Sequence, residues 1–123
     1  MNAGSDTAKA LAVGRVVIGT IALVFPTLAA RLFMLKVQSN PQLPYVMRLF
    51  AAREIAVGAL SLTAPESART QMVGLGMAVD GSDAIAGFAA ARSGAVSKPV
   101  GVVLTGAALG AVAAGASTFV GRR

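Results

Sequence analysis

Residues 99–120 read PVGVVLTGAALGAVAAGASTFV and hold no charged side chain. A helix rises 1.5 Å per residue, so this stretch would be about 33 Å long, enough to cross a hydrocarbon layer of about 30 Å. Its Ala, Val, Leu and Gly lack the polar/apolar alternation of a barrel strand, so the expected element is a spanning helix. By the charge criterion it is also the only stretch of the chain that would span on its own.

Working outward, three further apolar stretches cover about 7–25, 44–64 and 66–92. Each carries charges that the last one lacks. Over its 123 residues the chain is 55% hydrophobic and 13% charged, about half the charge of an ordinary soluble domain. So few charges cannot cover the surface of a soluble fold of this size, and hydrophobicity this high excludes disorder. The sequence therefore predicts an all-α, polytopic membrane protein: a single domain over 1–123, built as a four-transmembrane-helix bundle in the cytoplasmic membrane. The bilayer is its first partner.

What the chain lacks narrows the chemistry. Without cysteine or histidine there is no disulfide, no thiolate nucleophile and no usual haem or zinc ligand. No cofactor and no metal are expected. The net charge of +6 comes without a basic run interleaved with aromatics, so no nucleic-acid partner is expected either. Basic residues near helix ends serve anionic lipid and orientation instead.

Prolines punctuate the spans. Pro44, Pro65 and Pro99 each stand at the start of a proposed helix, where a missing N–H costs nothing. Pro26 either opens a short interfacial helix after the first span or bends one long helix. In the first case Leu28, Leu32 and Leu35 share a face, while Arg31 and Lys36 reach water. Residues 37–43 form a polar loop. At the start, Ser5 and Asp6, with Asn2 before them, suit a helix N-cap. A secretory leader is a competing reading of Lys9, Arg15 and residues 16–25, but a cut after Ala30 would leave Leu28 where a small residue is preferred.

An internal echo is present. Gly19 and Pro26 precede Ala30-Arg31, and Gly58 and Pro65, at the same separation, precede Ala68-Arg69. Inverted repeats are a transporter signature, but for a match of three or four common residue types chance or a shared way of ending a helix is the better account. With four spans, Lys9, Arg69, Arg122 and Arg123 fall on one side and Arg31, Lys36, Arg92 and Lys98 on the other, so the positive-inside rule assigns no orientation.

The informative residues are the charges inside the spans. Each Arg or Asp at mid-bilayer costs about 2.5–3.5 kcal/mol on insertion scales. By position, Arg15, Arg53, Glu54, Asp80 and Asp83 lie near the middles of their helices, while Arg48 is close enough to a helix start to snorkel. Arg53 and Glu54 point about 100° apart and need partners on other helices, whereas Asp80 and Asp83 share a face. The expected pairing is Arg53 with both aspartates and Glu54 with Arg15. These five residues form either an ion-pair network that fixes helix register or a polar cavity for an ion, a proton or an anionic headgroup.

Residues 79–83, VDGSD, fit neither a calcium loop, since Ala84, Ile85 and Ala86 offer no side-chain oxygen, nor the four-aspartate motif of CDP-alcohol transferases. In the last helix, Gly106-xxx-Gly110 is a small-xxx-small motif for packing within the bundle, or for a homo-oligomer or larger membrane complex.

Residues 14–19, GRVVIG, and 52–58, AREIAVG, within a pattern of four short spans, resemble the small DoxX-like bacterial membrane proteins. The resemblance covers the first half of the chain. It implies a four-helix bundle in the cytoplasmic membrane and no assigned reaction. The expected function is a non-enzymatic accessory or small-ligand-binding bundle. The alternative is a small ion- or proton-coupled transporter working as an oligomer. An enzyme is not expected, since no nucleophile–base pair is legible.

Overall fold

The computed structural model describes residues 3–120. Asn2, Arg122 and Arg123, which entered the cap and orientation arguments, lie outside the described residues. The described fold is all-helical. Helix α1 spans Ala3–Val24, α2 Pro26–Leu32, α3 Leu43–Thr63, α4 Arg69–Ser93 and α5 Lys98–Val120, with one 3-10 turn at Glu66–Ala68.

The punctuation works largely as the sequence suggests. Phe25 leaves helical geometry (φ −125°, ψ 67°) and Pro26 opens α2, so the first helix stops instead of bending through the proline. Met34, at φ 63°, closes the turn that follows α2. Gly94 ends α4 in the left-handed conformation (φ 80°) that glycine adopts without a Cβ penalty. Two boundaries differ from expectation. Ser5 and Asp6 lie inside the first turns of α1, with Asp6 favourably near the positive end of the helix dipole. Pro65 is extended (φ −63°, ψ 155°) and precedes the 3-10 turn, so α4 begins only at Arg69.

Two antiparallel hairpins make up the bundle. Helices α1 and α3 form one and α4 and α5 the other; they meet chiefly through α1 and α5, and to a smaller extent through α3 and α4. Glycine sets the closeness of each hairpin. A Cβ on Gly19 would lie 2.7 Å from Ile55 Cγ1 and 2.9 Å from the Ala51 carbonyl, and one on Gly58 would lie 2.8 Å from the Ala12 carbonyl. The two glycines of the internal echo are thus the two reciprocal contact points of α1 and α3. In the second hairpin Gly101 lies against Ala91, Gly87 against Leu104 and Thr105, and Gly115 against Met77.

Gly106 and Gly110 are not among these contacts, because an added Cβ at either would meet nothing within 4 Å. The expectation that they pack within the bundle is corrected by helix phase. At about 100° per residue, Gly115 returns to within about 40° of Gly101, whereas Gly106 and Gly110 sit about 140° and 180° away.

Polarity is distributed the wrong way round for a water-soluble bundle. The buried hydrophobic residues are nearly all alanine, with Met47 and Val57 the exceptions. Large apolar side chains face out, among them Ile85 (73% exposed), Val102 (72%) and Val120 (73%), while Glu54 and Asp80 are only 5% exposed. Two helices are long and apolar enough to cross a membrane, α5 and the Ser5–Val24 part of α1, one more than the charge criterion allowed. Little of either is buried inside the bundle, unlike the core helix of a soluble protein.

The short helix α2 docks by its alanines. Ala29 and Ala30 join Ala22, Met47 and Ala51 in a small core that Phe33, Leu35, Val37 and Phe50 cover. Leu28 and Leu32 share an outward face as expected, but Leu35 lies past the end of α2 and packs against this core, so the common face of all three is corrected. The flat alanine side lets α2 approach more closely than a leucine face would.

Candidate functional site

The hairpin of α1 and α3 places a charge one turn before each contact glycine, Arg15 before Gly19 and Glu54 before Gly58. Close approach at the glycines brings those charges together. Arg15 Nη1 donates to Glu54 Oε2 at 3.1 Å and to Oε1 at 3.3 Å. The same guanidinium reaches across to the second hairpin, with Nη1 donating to Asp80 Oδ1 at 3.1 Å and Nη2 to Asp80 Oδ2 at 2.5 Å. Its contact with Asp80 is therefore the two-pronged geometry that makes arginine–carboxylate pairs strong.

Gly76, one turn before Asp80, makes the room. A Cβ there would lie 2.7 Å from Arg15 Nη2. Arg15 fills that space and pairs with Asp80, which the sequence expectation had given to Arg53. Arg53 takes Asp83 alone, Nη2 donating to Oδ2 at 2.7 Å. It also stands 5.5 Å from the centre of the Phe50 ring, close enough for a cation–π contact. Its Nε is buried without a hydrogen-bond partner among the described residues. Phe50 in turn meets Phe33 edge-to-face at 5.8 Å, which ties this corner to the turn after α2. Arg48 stays apart: it is exposed, and its Nε donates to the Leu23 carbonyl at 3.3 Å.

All five sequence-derived residues thus fall in one place, in two linked pieces of unequal exposure. Side-chain exposure is 13% for Arg15 and 7% for both Glu54 and Asp80, but 40% for Arg53 and 32% for Asp83. Oxygens of Glu54, Asp80 and Asp83 lie within 4.8 Å of one another, a spacing that a metal ion could use. Here Arg15 stands against two of these carboxylates and Arg53 against the third, so guanidinium is the positive partner. Two guanidiniums facing three carboxylates leave a net charge of −1 when all are ionised.

A crevice of about 40 Å³ leads to the centre from the end of the bundle where α1 begins, room for about three waters. Arg15 and Gly76 form its floor; Ala8, Ala12, Leu11, Leu62, Met72, Val73 and Met77 its walls; and Lys9 and Arg69 stand beside it. Arg69 Nη1 donates to Ser5 Oγ at 2.8 Å. Neither Lys9 nor Arg69 makes an ion pair among the described residues. Sequence reasoning counted these two only as orientation charges. The signal that could have found Arg69 is its place eleven residues, just over three whole turns, before Asp80 on one helix face.

Comparison with protein-family models, curated proteins and solved structures finds no match.

Proposed function

We propose that the chain is a four-span bundle of the cytoplasmic membrane which, without chemistry of its own, binds a small ligand as an accessory component. What carries this reading is Arg15, which is at once the floor of the crevice and the link between the hairpins. A ligand in the crevice lies against the guanidinium that holds Asp80, so its occupancy and the association of the hairpins act on each other. The outward apolar surface supports the bilayer setting, with lipid covering what no protein segment covers. The resemblance to DoxX-like bundles belongs to the same proposal.

The absence of cysteine makes the test direct. Single cysteines replace Ile85 on the outer face, Ser61 on the crevice and Ser39 in the loop, and a water-soluble maleimide is applied to both faces of the membrane, because Ser39 and Ser61 lie at opposite ends of the bundle. Ser39→Cys and Ser61→Cys label, while Ile85→Cys labels only after detergent is added. Rapid labelling of Ile85→Cys in intact membranes would overturn the four-span reading, and a silent Ser61→Cys would overturn the open crevice.

The uncompensated carboxylate favours a second reading, a small proton-coupled transporter working as an oligomer. It requires proton flux in proteoliposomes that Glu54→Gln or Asp80→Asn abolishes while the protein still accumulates.

A further inference from the structure

We infer that the crevice at the start of α1 takes the phosphate of an anionic phospholipid, held between Lys9 and Arg69, with the acyl part lying along the apolar wall. This inference rests on the ligand-binding reading and names the ligand class. Three observations carry it.

The first is unpaired charge. Lys9 and Arg69 flank one crevice from two different helices, and neither has a carboxylate partner among the described residues. Asp6 and Glu66 lie at the same end, but among the described residues they neither line the crevice nor form an ion pair. Arg69 spends one donor on a serine hydroxyl, which leaves the rest of its fork and the Lys9 ammonium for an anion. Basic pockets between membrane helices suit phospholipid headgroups for this reason.

The second is size. The crevice is partly open, with about 40 Å³ of water-accessible space against its lining, so a small anionic group sits in it and the rest of an amphiphile extends from its open side. The remainder of any ligand must lie outside it, along the wall. That wall is Leu11, Leu62, Met72, Val73 and Met77, and Leu62 is exposed, so the wall continues onto the outer apolar surface. A soluble phosphate ester would leave this apolar surface unused. The two methionines adapt to a flexible chain better than branched side chains would.

The third is depth. Lys9 precedes Arg15 by six residues, about 9 Å along α1. On the four-span reading Lys9 and Arg69 then stand at headgroup level and Arg15 at acyl level. The buried centre, with Arg15 already bonded to two carboxylates, closes the inner end.

The test uses the full chain, reconstituted in bilayers of phosphatidylglycerol and phosphatidylcholine at equal amounts and released into the gas phase for native mass spectrometry. The expected result is one retained phosphatidylglycerol per chain and no retained phosphatidylcholine. Lys9→Gln with Arg69→Gln lowers that retention about thirtyfold, as removing two cations beside an anionic headgroup should. Lys9→Arg with Arg69→Lys retains the lipid, which separates charge from folding. Arg31→Gln with Lys36→Gln, the same loss of charge at the other end, leaves retention unchanged.

Equal retention of both lipids, or an equal loss in the Arg31/Lys36 variant, would overturn the site. Displacement of the lipid by millimolar glycerol 3-phosphate would reassign it to a soluble anion. Failure here, with Ser61→Cys still labelling from water, removes only the lipid and leaves the ligand-binding reading intact.

Discussion

Arg15 satisfies two carboxylates with one guanidinium, and Gly76 allows it to. Removing the guanidinium leaves Glu54 and Asp80 buried without a counter-charge, so Arg15→Ala should destabilise the bundle by about 3–5 kcal/mol. Thermal unfolding in mild detergent measures this, and adding Glu54→Gln and Asp80→Asn should recover part of the loss. Arg53→Ala removes a half-exposed pair and should cost about 1 kcal/mol or less. The glycines give a cleaner contrast. Gly76→Ala pushes a methyl into the guanidinium and should lower stability, whereas Gly74→Ala meets open space and should gain about 0.5–1 kcal/mol from helix propensity. Unfolding the two variants side by side decides whether Gly76 is there for Arg15.

The same residues mark how far sequence reading reaches. Helix phase alone indicated that Arg53 and Glu54 must look to different helices, and the structure gives them Asp83 and Arg15. Phase could not say which arginine Asp80 faces, because that depends on the space Gly76 opens between α1 and α4. Sequence reading put Lys9 and Arg69 at the same end of the bundle but could not place them on one crevice, which exists only once the two hairpins meet.

At the level of elements, prolines and apolar runs located every long helix to within a few residues. The face each helix turns inward was less legible. Leu35 turns away from Leu28 and Leu32, and Gly106-xxx-Gly110 does not pack within the bundle, because close packing here selects alanines and other glycines. The consequence is measurable. Gly19→Val and Gly58→Val should each force α1 from α3 and lower the unfolding temperature. Gly106→Val and Gly110→Val on the open face should change stability by no more than about 0.5 kcal/mol. If the outer pair proved as damaging as the inner pair, a contact outside the single chain would have to be holding α5.

Across the whole molecule, the two hairpins are each closed by glycine and joined to one another by Arg15–Asp80 and Arg53–Asp83. Dividing the chain between Ala64 and Pro65 and producing both pieces in one cell should therefore yield a complex that purifies through a tag on either piece. Asp80→Asn with Asp83→Asn should abolish that co-purification. Its persistence would mean that apolar contact between α1 and α5 suffices.

The division of charge between the hairpins also bears on biogenesis. The N-terminal pair of helices carries two central cations and one acid, whereas the C-terminal pair carries two acids and no central cation. Synthesis runs from the N-terminus, so on the four-span reading Arg15 and Arg53 are already in place when the nascent aspartates leave the ribosome. The later insertion meets a waiting receptor, and a permuted gene that reversed the order would present those acids to bare lipid.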